Sequence, residues 1–384
     1  MKVGRVKAVA FKEWREILRD RLFFTMAFGV PLLIMLVLAY GLSLDVENIP
    51  FAVVDHDRSA LSRDYIHRFS GSRYFDFLGY VERERDLDPL LADSRIRLGL
   101  VIPNRFQAQL QGDRPVAVQA LIDGMFPFRA QTTKGYLAAI NARANRELLV
   151  NWLARKRGLP RERAAELVEP VRLEQRYLYN QAIKSDWSMA SGLMMLVLMV
   201  SPPFLTALGV VREKESGSIY NIYASTVTRG EFILGKLIPY VGVSCFNILV
   251  LWLVATQLFG APFKGDPLFF FIASVVYVIC TAGIGLLVSI LVNTQVAAVL
   301  LTMVITFIPA MLYSGLLVPV ESMSADAQIQ AWLFPPRYYL EITWGSFLKG
   351  LGWNELWVPV AVLAGYATVL WSIGFLAFHK RPKR

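Results

Sequence analysis

The stretch PLFFFIASVVYVICTAGIGLLVSILVNTQVAAVLLTMVITFIPAMLYSGLLVPV, residues 267–320, runs for 54 residues without an Asp, Glu, Lys, Arg or His. A bilayer core is crossed by about 20 mostly apolar residues of helix, so this run is too long for one crossing and too apolar for a water-facing domain. Its polar notch at Asn293, Thr294 and Gln295 divides it into two transmembrane helices. Four further uncharged runs, 22–44, 187–211, 237–263 and 356–378, bring the expected number of spans to six. The first is not a cleaved signal peptide, because it holds 23 uncharged residues where a signal core has about 7–15.

Composition points the same way. Of 384 residues, 55% are hydrophobic and 18% charged, whereas soluble domains carry about 25% charged residues. The formal charge of +10 could suggest a nucleic-acid partner, but its distribution argues for membrane orientation and against nucleic acid. Lys2, Arg5, Lys7, Lys12, Arg15, Arg19 and Arg21 precede the first span. Arg212, Lys214, Arg229 and Lys236 lie between the second and third, and Lys380, Arg381, Lys383 and Arg384 follow the sixth. With six spans all three groups share one side, which the retention of Lys and Arg makes the cytoplasmic side of a bacterial inner membrane. Both termini are then cytoplasmic and residues 45–186 lie outside.

The reading is an all-α polytopic membrane protein with an added external α+β domain. Residues 1–21 form a cytoplasmic amphipathic helix at the lipid interface, with Val6, Ala10, Phe11, Trp14, Ile17 and Leu18 on one stripe and Arg5, Lys12, Glu13, Arg15, Glu16 and Arg19 on the other side. Residues 22–44 are the first transmembrane helix. Within 45–186, strands are expected at 51–54, 97–102 and 116–122. Helices are expected at 60–69, capped by Ser59, at 105–111, at 130–153, and, after Gly158 and Pro160, as a charged stalk over 155–175. Residues 187–378 carry the remaining spans, with a cytoplasmic loop at 212–236 and a partly re-entrant outer loop at 313–355; residues 379–384 are a cytoplasmic tail. In that outer loop Tyr313, Ser314, Gly315 and Pro319 interrupt the helix, and Trp332, Phe334, Pro335, Pro336, Tyr338, Tyr339 and Trp344 follow at a density suited to the headgroup level.

The chemistry the chain lacks narrows its function. None of the expected spans contains an ionisable residue, whereas proton-driven transporters and ion pumps bind their coupling ion on such groups. The three histidines, His56, His67 and His379, are scattered, and Asp55-His56-Asp57 after a strand is turn chemistry, so no metal site is expected. Cys245 and Cys280 fall in apolar runs and read as small core residues. Gly230, Gly235 and Lys236 imitate a phosphate-binding loop, but Leu237 stands where a Ser or Thr must hold magnesium. No catalytic role and no cofactor are expected in this chain; ATP would have to be hydrolysed by another polypeptide.

Two segments are more specific: Arg212-Glu213-Lys214-Glu215-Ser216-Gly217-Ser218-Ile219, and Thr228-Arg229-Gly230-Glu231-Phe232-Ile233-Leu234-Gly235-Lys236-Leu237-Ile238-Pro239-Tyr240. They resemble the signature of ABC exporter permeases of the type-2 class, with Thr226-Val227 where that class usually carries a proline. Ser314 to Pro319, Met323 and the stretch from Pro335-Pro336-Arg337-Tyr338 to Lys349-Gly350 resemble its outer loop. The likeness is greatest to the bacterial drug-efflux subgroup.

The resemblance implies a permease working as a dimer, with a second copy or a related permease, beside a separate ATPase subunit that binds ATP and magnesium. A periplasmic adaptor protein and membrane lipid are further implied partners. Trp14, Arg212, Glu213, Lys214, Glu215, Gly217, Ile219, Tyr220, Arg229, Glu231, Gly235 and Lys236 would couple to the ATPase, with Ile222 and Tyr223 extending an apolar face. Tyr313, Ser314, Gly315, Pro319, Pro335 and Pro336 would belong to the outer loop or the pathway. The expected activity is export of hydrophobic or amphipathic compounds; the alternative is an ATPase-driven mechanical or sensory protein that passes no substrate.

Overall fold

The computed structural model describes residues 2–41, 46–170, 176–220 and 225–378. It divides into two compact units, one formed by Met1–Leu44 with Tyr177–Arg384 and the other by Asp45–Arg176.

The chain begins with helix α1 (Val3–Arg19), which Asp20 ends by turning extended. A second helical rod follows: α2 (Arg21–Phe24), a π turn at Thr25–Gly29, and α3 (Val30–Gly41). A π turn disturbs the regular ladder and leaves a carbonyl to be satisfied from elsewhere. Asn247 Nδ2 donates to the Ala27 carbonyl at 2.8 Å.

The Asp45–Arg176 unit is built on a four-stranded sheet in the order β2-β1-β3-β4, comprising β1 (Ile49–Asp55), β2 (Phe75–Tyr80), β3 (Leu98–Ile102) and β4 (Gln119–Ile122). β1 runs parallel to β2 and β3, and β4 is antiparallel to β3. Parallel neighbours need crossovers; α4 (Ala60–Ser70) supplies one and α5 (Leu87–Ala92) the other. β1 and β3 are buried along almost their whole length because both faces are covered: Phe51, Phe69 and Phe75 pack on one side, Ala52, Val54 and Leu87 on the other. The unit continues with α6 (Phe106–Gln111), α7 (Pro127–Arg157) and α8 (Arg161–Val168).

Two expectations for this unit need correcting. Phe75–Tyr80 is a strand that the expected pattern omitted, held because Phe75 and Phe77 set their rings against Phe51. The break expected at Gly158 and Pro160 is present, since Gly158, at φ +61°, ends α7, but the charged helix beyond it, expected to reach 175, stops at Val168. Residues 171–175 lie outside the described residues. Ser59 caps α4 as expected, accepting from the Ser62 amide at 3.1 Å. Asp55 is a turn residue, its carboxylate taking the Asp57 and Arg58 amides and the Ser62 hydroxyl. Among the described residues no cluster of His, Cys, Asp or Glu could hold a metal.

The other unit continues with α9 (Ser185–Glu215), α10 (Arg229–Leu253, prolonged by a π turn at Val254–Leu258), α11 (Pro267–Leu291), α12 (Gln295–Tyr313), α13 (Ala325–Leu333), α14 (Pro335–Trp344, prolonged at Gly345–Lys349) and α15 (Trp353–Ala377). Five of these, α9 to α12 and α15, are long and apolar enough to cross a membrane, rather than the six helices expected. The shortfall is the first span: its apolar helix, Thr25–Gly41, is shorter, and residues 42–44 lie outside the described residues. The long uncharged run breaks where expected, since α11 ends at Leu291 and the Thr294 side chain caps α12 by accepting the Ala297 amide.

α9 is the axle of this unit. Its apolar window is 94% buried, against 22% for α12 and 17% for α15. Proline at 202 removes the amide that would bond to the carbonyl four residues back. That carbonyl, of Leu198, accepts instead from the Thr281 hydroxyl of α11 at 3.1 Å. At the next residue α11 comes so close that a Cβ on Gly285 would strike the Pro203 backbone.

Candidate functional site

The site lies where α1 crosses the ends of α9 and α10. α1 is amphipathic on two faces. Val6, Glu13 and Ile17 point inward and are buried, while Val3, Phe11, Trp14 and Leu18 point outward and are exposed. Glu13 therefore stands on the buried stripe, not on the polar side where the sequence reading put it. Spacings of three and four residues from Ala10 and to Ile17 mark that stripe, and they were the available signal.

A charge on an inner stripe must be paired and hydrogen-bonded. Lys236, only 3% exposed, places its Nζ 2.5 Å from Glu13 Oε1 and 3.0 Å from Glu213 Oε1, and donates to the Gly209 carbonyl at 2.8 Å. The three donors of the ammonium are thus used. Tyr240 donates its hydroxyl to Glu13 Oε2 at 2.7 Å, and Lys12 reaches Glu213 Oε1 at 2.5 Å. Burial opposes the charge on Lys12, but the hydrogen bond and field of Glu213 prevail, so the ammonium titrates above its ordinary range. One buried network thereby joins α1, α9 and α10. Glycines let the helices close on it. A Cβ at Gly209 would meet the Tyr240 ring, and one at Gly235 would collide with Val9 of α1.

The four charges of Arg212-Glu213-Lys214-Glu215 each address a different element. Arg212 pairs with Asp20 at 2.8 Å. Lys214 donates to the carbonyls of Ser289 and Val292 at the end of α11, and Glu215 accepts the Gln295 amide at the start of α12 at 2.8 Å. A cation at a helix C-terminus and an anion at a helix N-terminus both suit the backbone dipole. Gly217, at φ +72°, then ends α9 in the left-handed conformation expected of a helix stop.

α10 opens with a reciprocal cap: Thr228 Oγ1 accepts the Glu231 amide and Glu231 Oε2 accepts the Thr228 amide. Glu231 also accepts the Lys2 amide and lies 3.6 Å from Arg5, a second tie to α1.

Much of the expected coupling loop, 212–236, is consequently helix: α9 runs through Glu215 and α10 starts at Arg229. Glu213, Ile219, Glu231 and Lys236 are buried, whereas Trp14 and Tyr220 are exposed. Ile222 and Tyr223 lie outside the described residues. Lys12, Glu13, Asp20 and Tyr240 belong to the site and were not named for it; Lys12 and Tyr240 stand far in sequence from their partners, where no local pattern marks them.

The outer-loop residues assemble at the opposite end of α9. Tyr313 stacks on Phe334 at 6.3 Å, the Ser314 hydroxyl accepts the Leu316 amide, and Gly315 takes φ +95°. After Pro319 a short 3-10 turn, Val320–Ser322, leads into α13. Pro335 and Pro336, both buried, start α14 where their missing amides cost nothing. α14 is pinned by Tyr339, whose ring stacks on Tyr277 at 4.1 Å and whose hydroxyl lies 2.7 Å from that of Ser274. Trp344 donates to the Ser188 carbonyl near the start of α9. From Ser188 to Glu213 is about 37 Å at the helical rise of 1.5 Å per residue.

Four long apolar helices around a fifth, the buried axle α9, with charges gathered at one end and aromatics at the other, are the build of a multi-pass membrane permease. The chain belongs to the ABC-2 transporter family, whose profile, described as ABC-2 family transporter protein, matches residues 21–376. It is 28% identical to the probable multidrug ABC transporter permease YbhS of Escherichia coli K12 over 98% of this chain and 97% of that one. Identity to the probable multidrug ABC transporter permease YbhR of the same strain is 27%, over 87% and 89%. Identity to the inner membrane transport permease YhhJ is 23%, over 97% and 96%. Permeases of this family work with an ATPase partner.

Proposed function

We propose that this chain is the non-catalytic membrane subunit of an ATP-driven exporter of hydrophobic or amphipathic compounds, acting as a dimer beside two copies of a separate ATPase that binds the ATP and magnesium. The names of the YbhS and YbhR relatives support efflux as the direction. In this reading α2 and α3 complete six spans, since a continuous rod from Arg21 to Gly41 is about 30 Å long at 1.5 Å per residue. Both termini face the cytoplasm of a bacterial inner membrane, residues 45–186 stand outside as the contact for an adaptor protein, and residues 313–355 dip back toward the bilayer.

The observation that carries the mechanism is the fork at Lys236. Closure of the ATPases would push on exposed α1 and on the turn after Gly217. Because Glu13, Glu213 and Lys236 tie α1 to α9 and α10, the push would move helix ends rather than side chains. Lys214 and Glu215 would carry the displacement on to α11 and α12. The test is to coexpress the chain with a candidate ATPase encoded beside it and to measure ATP hydrolysis and efflux of an amphipathic dye in lipid vesicles. The triple variant E13Q/E213Q/K236M should keep ATPase association and lose dye efflux; undiminished efflux would sink the mechanism. Efflux-independent function after the pathway is plugged would favour the mechanical alternative.

A further inference from the structure

The Asp45–Arg176 unit holds a trough of about 430 Å³ between the β4 side of its sheet and α7. Its floor is the apolar core surface, including Phe69, Leu100 and Phe106, all buried. A helix that covers such a floor ordinarily presents large apolar side chains. Here α7 sets Leu137 and Leu148 on the floor, but the same face also carries Lys134, Ala138, Asn141 and Asn145, at spacings of three, four and seven residues. Where those small and polar side chains stand over the apolar floor, between and beside the two leucines, the space stays open.

The polar groups on this rim are not all consumed by the fold. Asn141 accepts the Tyr65 hydroxyl at 3.1 Å. Lys134 and Asn145 have no hydrogen bond or ion pair among the described residues. The volume falls within the roughly 300–1,000 Å³ of small-molecule sites, which join an apolar wall to a few placed polar groups. From residue 134 to 148 the helix extends about 21 Å at its rise of 1.5 Å per residue, so the trough is elongated. A free ammonium at one end and amides along the rim select the sign of the ligand's head.

We propose that this trough binds a single-chain amphiphile with an anionic head, its apolar chain along Phe69 and Phe106 and its head at Lys134. The site does not depend on the transport reading, since binding can be measured without the ATPase. The experiment uses the full chain in lipid discs with Cys245 and Cys280 replaced by serine. A thiol is introduced in the trough by Ala138→Cys or, as control, on the outer side of α7 by Ala139→Cys. The rate of modification by a membrane-impermeant maleimide is followed with added laurate, dodecanol or dodecyltrimethylammonium.

Laurate should slow modification of the A138C thiol at least fivefold and leave the A139C thiol unchanged. The cationic amphiphile should protect least, and Lys134→Glu should reverse that order. Equal slowing at both positions, no slowing by any of the three, or indifference to the sign of the head group would overturn the proposal.

Discussion

The two ends of α9 are fastened by opposite means. At one end Lys236, Glu13, Glu213 and Lys12 hold three helices by charge; at the other, Tyr339, Tyr277, Ser274 and Trp344 hold α14 by rings and neutral hydrogen bonds. A neutral bond lost leaves a buried group that costs about 1–3 kcal/mol, less than a buried charge that loses its partner, at about 3–5 kcal/mol. The charged end is therefore the one at which a small displacement has a large energetic consequence, as suits a place where force enters. The aromatic end is the better anchor.

The sharpest break of this contrast is Lys236→Met, which leaves the buried Glu13 carboxylate without a cation, holding only the Tyr240 hydroxyl, and leaves Glu213 with Lys12 alone. A loss of about 3–5 kcal/mol is expected, read as a lower melting temperature in lipid discs; the triple variant named above should recover most of it. A melting point for K236M within a degree of the parent would show that the clasp is solvated and the contrast false. Next comes Gly285→Ala, between the two ends, where the Pro203 backbone cannot yield as a side chain would; overpacking costs about 1–3 kcal/mol. Thr281→Val should cost about 1–2 kcal/mol by leaving the Leu198 carbonyl unpaired. Pro202→Ala should suppress that cost in a double-mutant cycle by restoring the intrahelical bond.

At the aromatic end Tyr339→Phe should cost only about 1 kcal/mol, because the Ser274 hydroxyl retains the Phe270 carbonyl as partner. The smallest effect is that of pH on the clasp. The Lys12 pKa is raised by folding, so its contribution is fully present below the unfolded value of about 10.4 and disappears as pH climbs through the higher folded value. Melting temperature should fall more gently with alkaline pH in K12Q than in the parent, and equal slopes would remove Lys12 from the network.

What the sequence made legible was whatever repeats locally. The apolar runs, the notch at Asn293 to Gln295, the stop at Gly217 and the cap at Ser59 are properties of neighbouring residues, and each stands in the structure as an element boundary. The Phe75–Tyr80 strand was readable in principle from its alternating aromatics. The clasp was not, because Glu13 and Lys236 stand 223 residues apart and no periodicity reports a partner at that distance. The signature segments drew attention to the helix ends that the network joins, but Glu213 and Lys236, expected to couple to an ATPase, are turned into the chain. A charge in sequence says that solvation is needed and leaves open whether water or a countercharge provides it.

The approach of Pro203 to Gly285 also fixes where α9 and α11 leave no room between them. Two backbones that leave no space for a methyl group form a weld rather than a slot, and a molecule of any size is stopped there unless α9 and α11 part. Under the proposed export activity, a cargo that followed α9 would have to skirt this crossing.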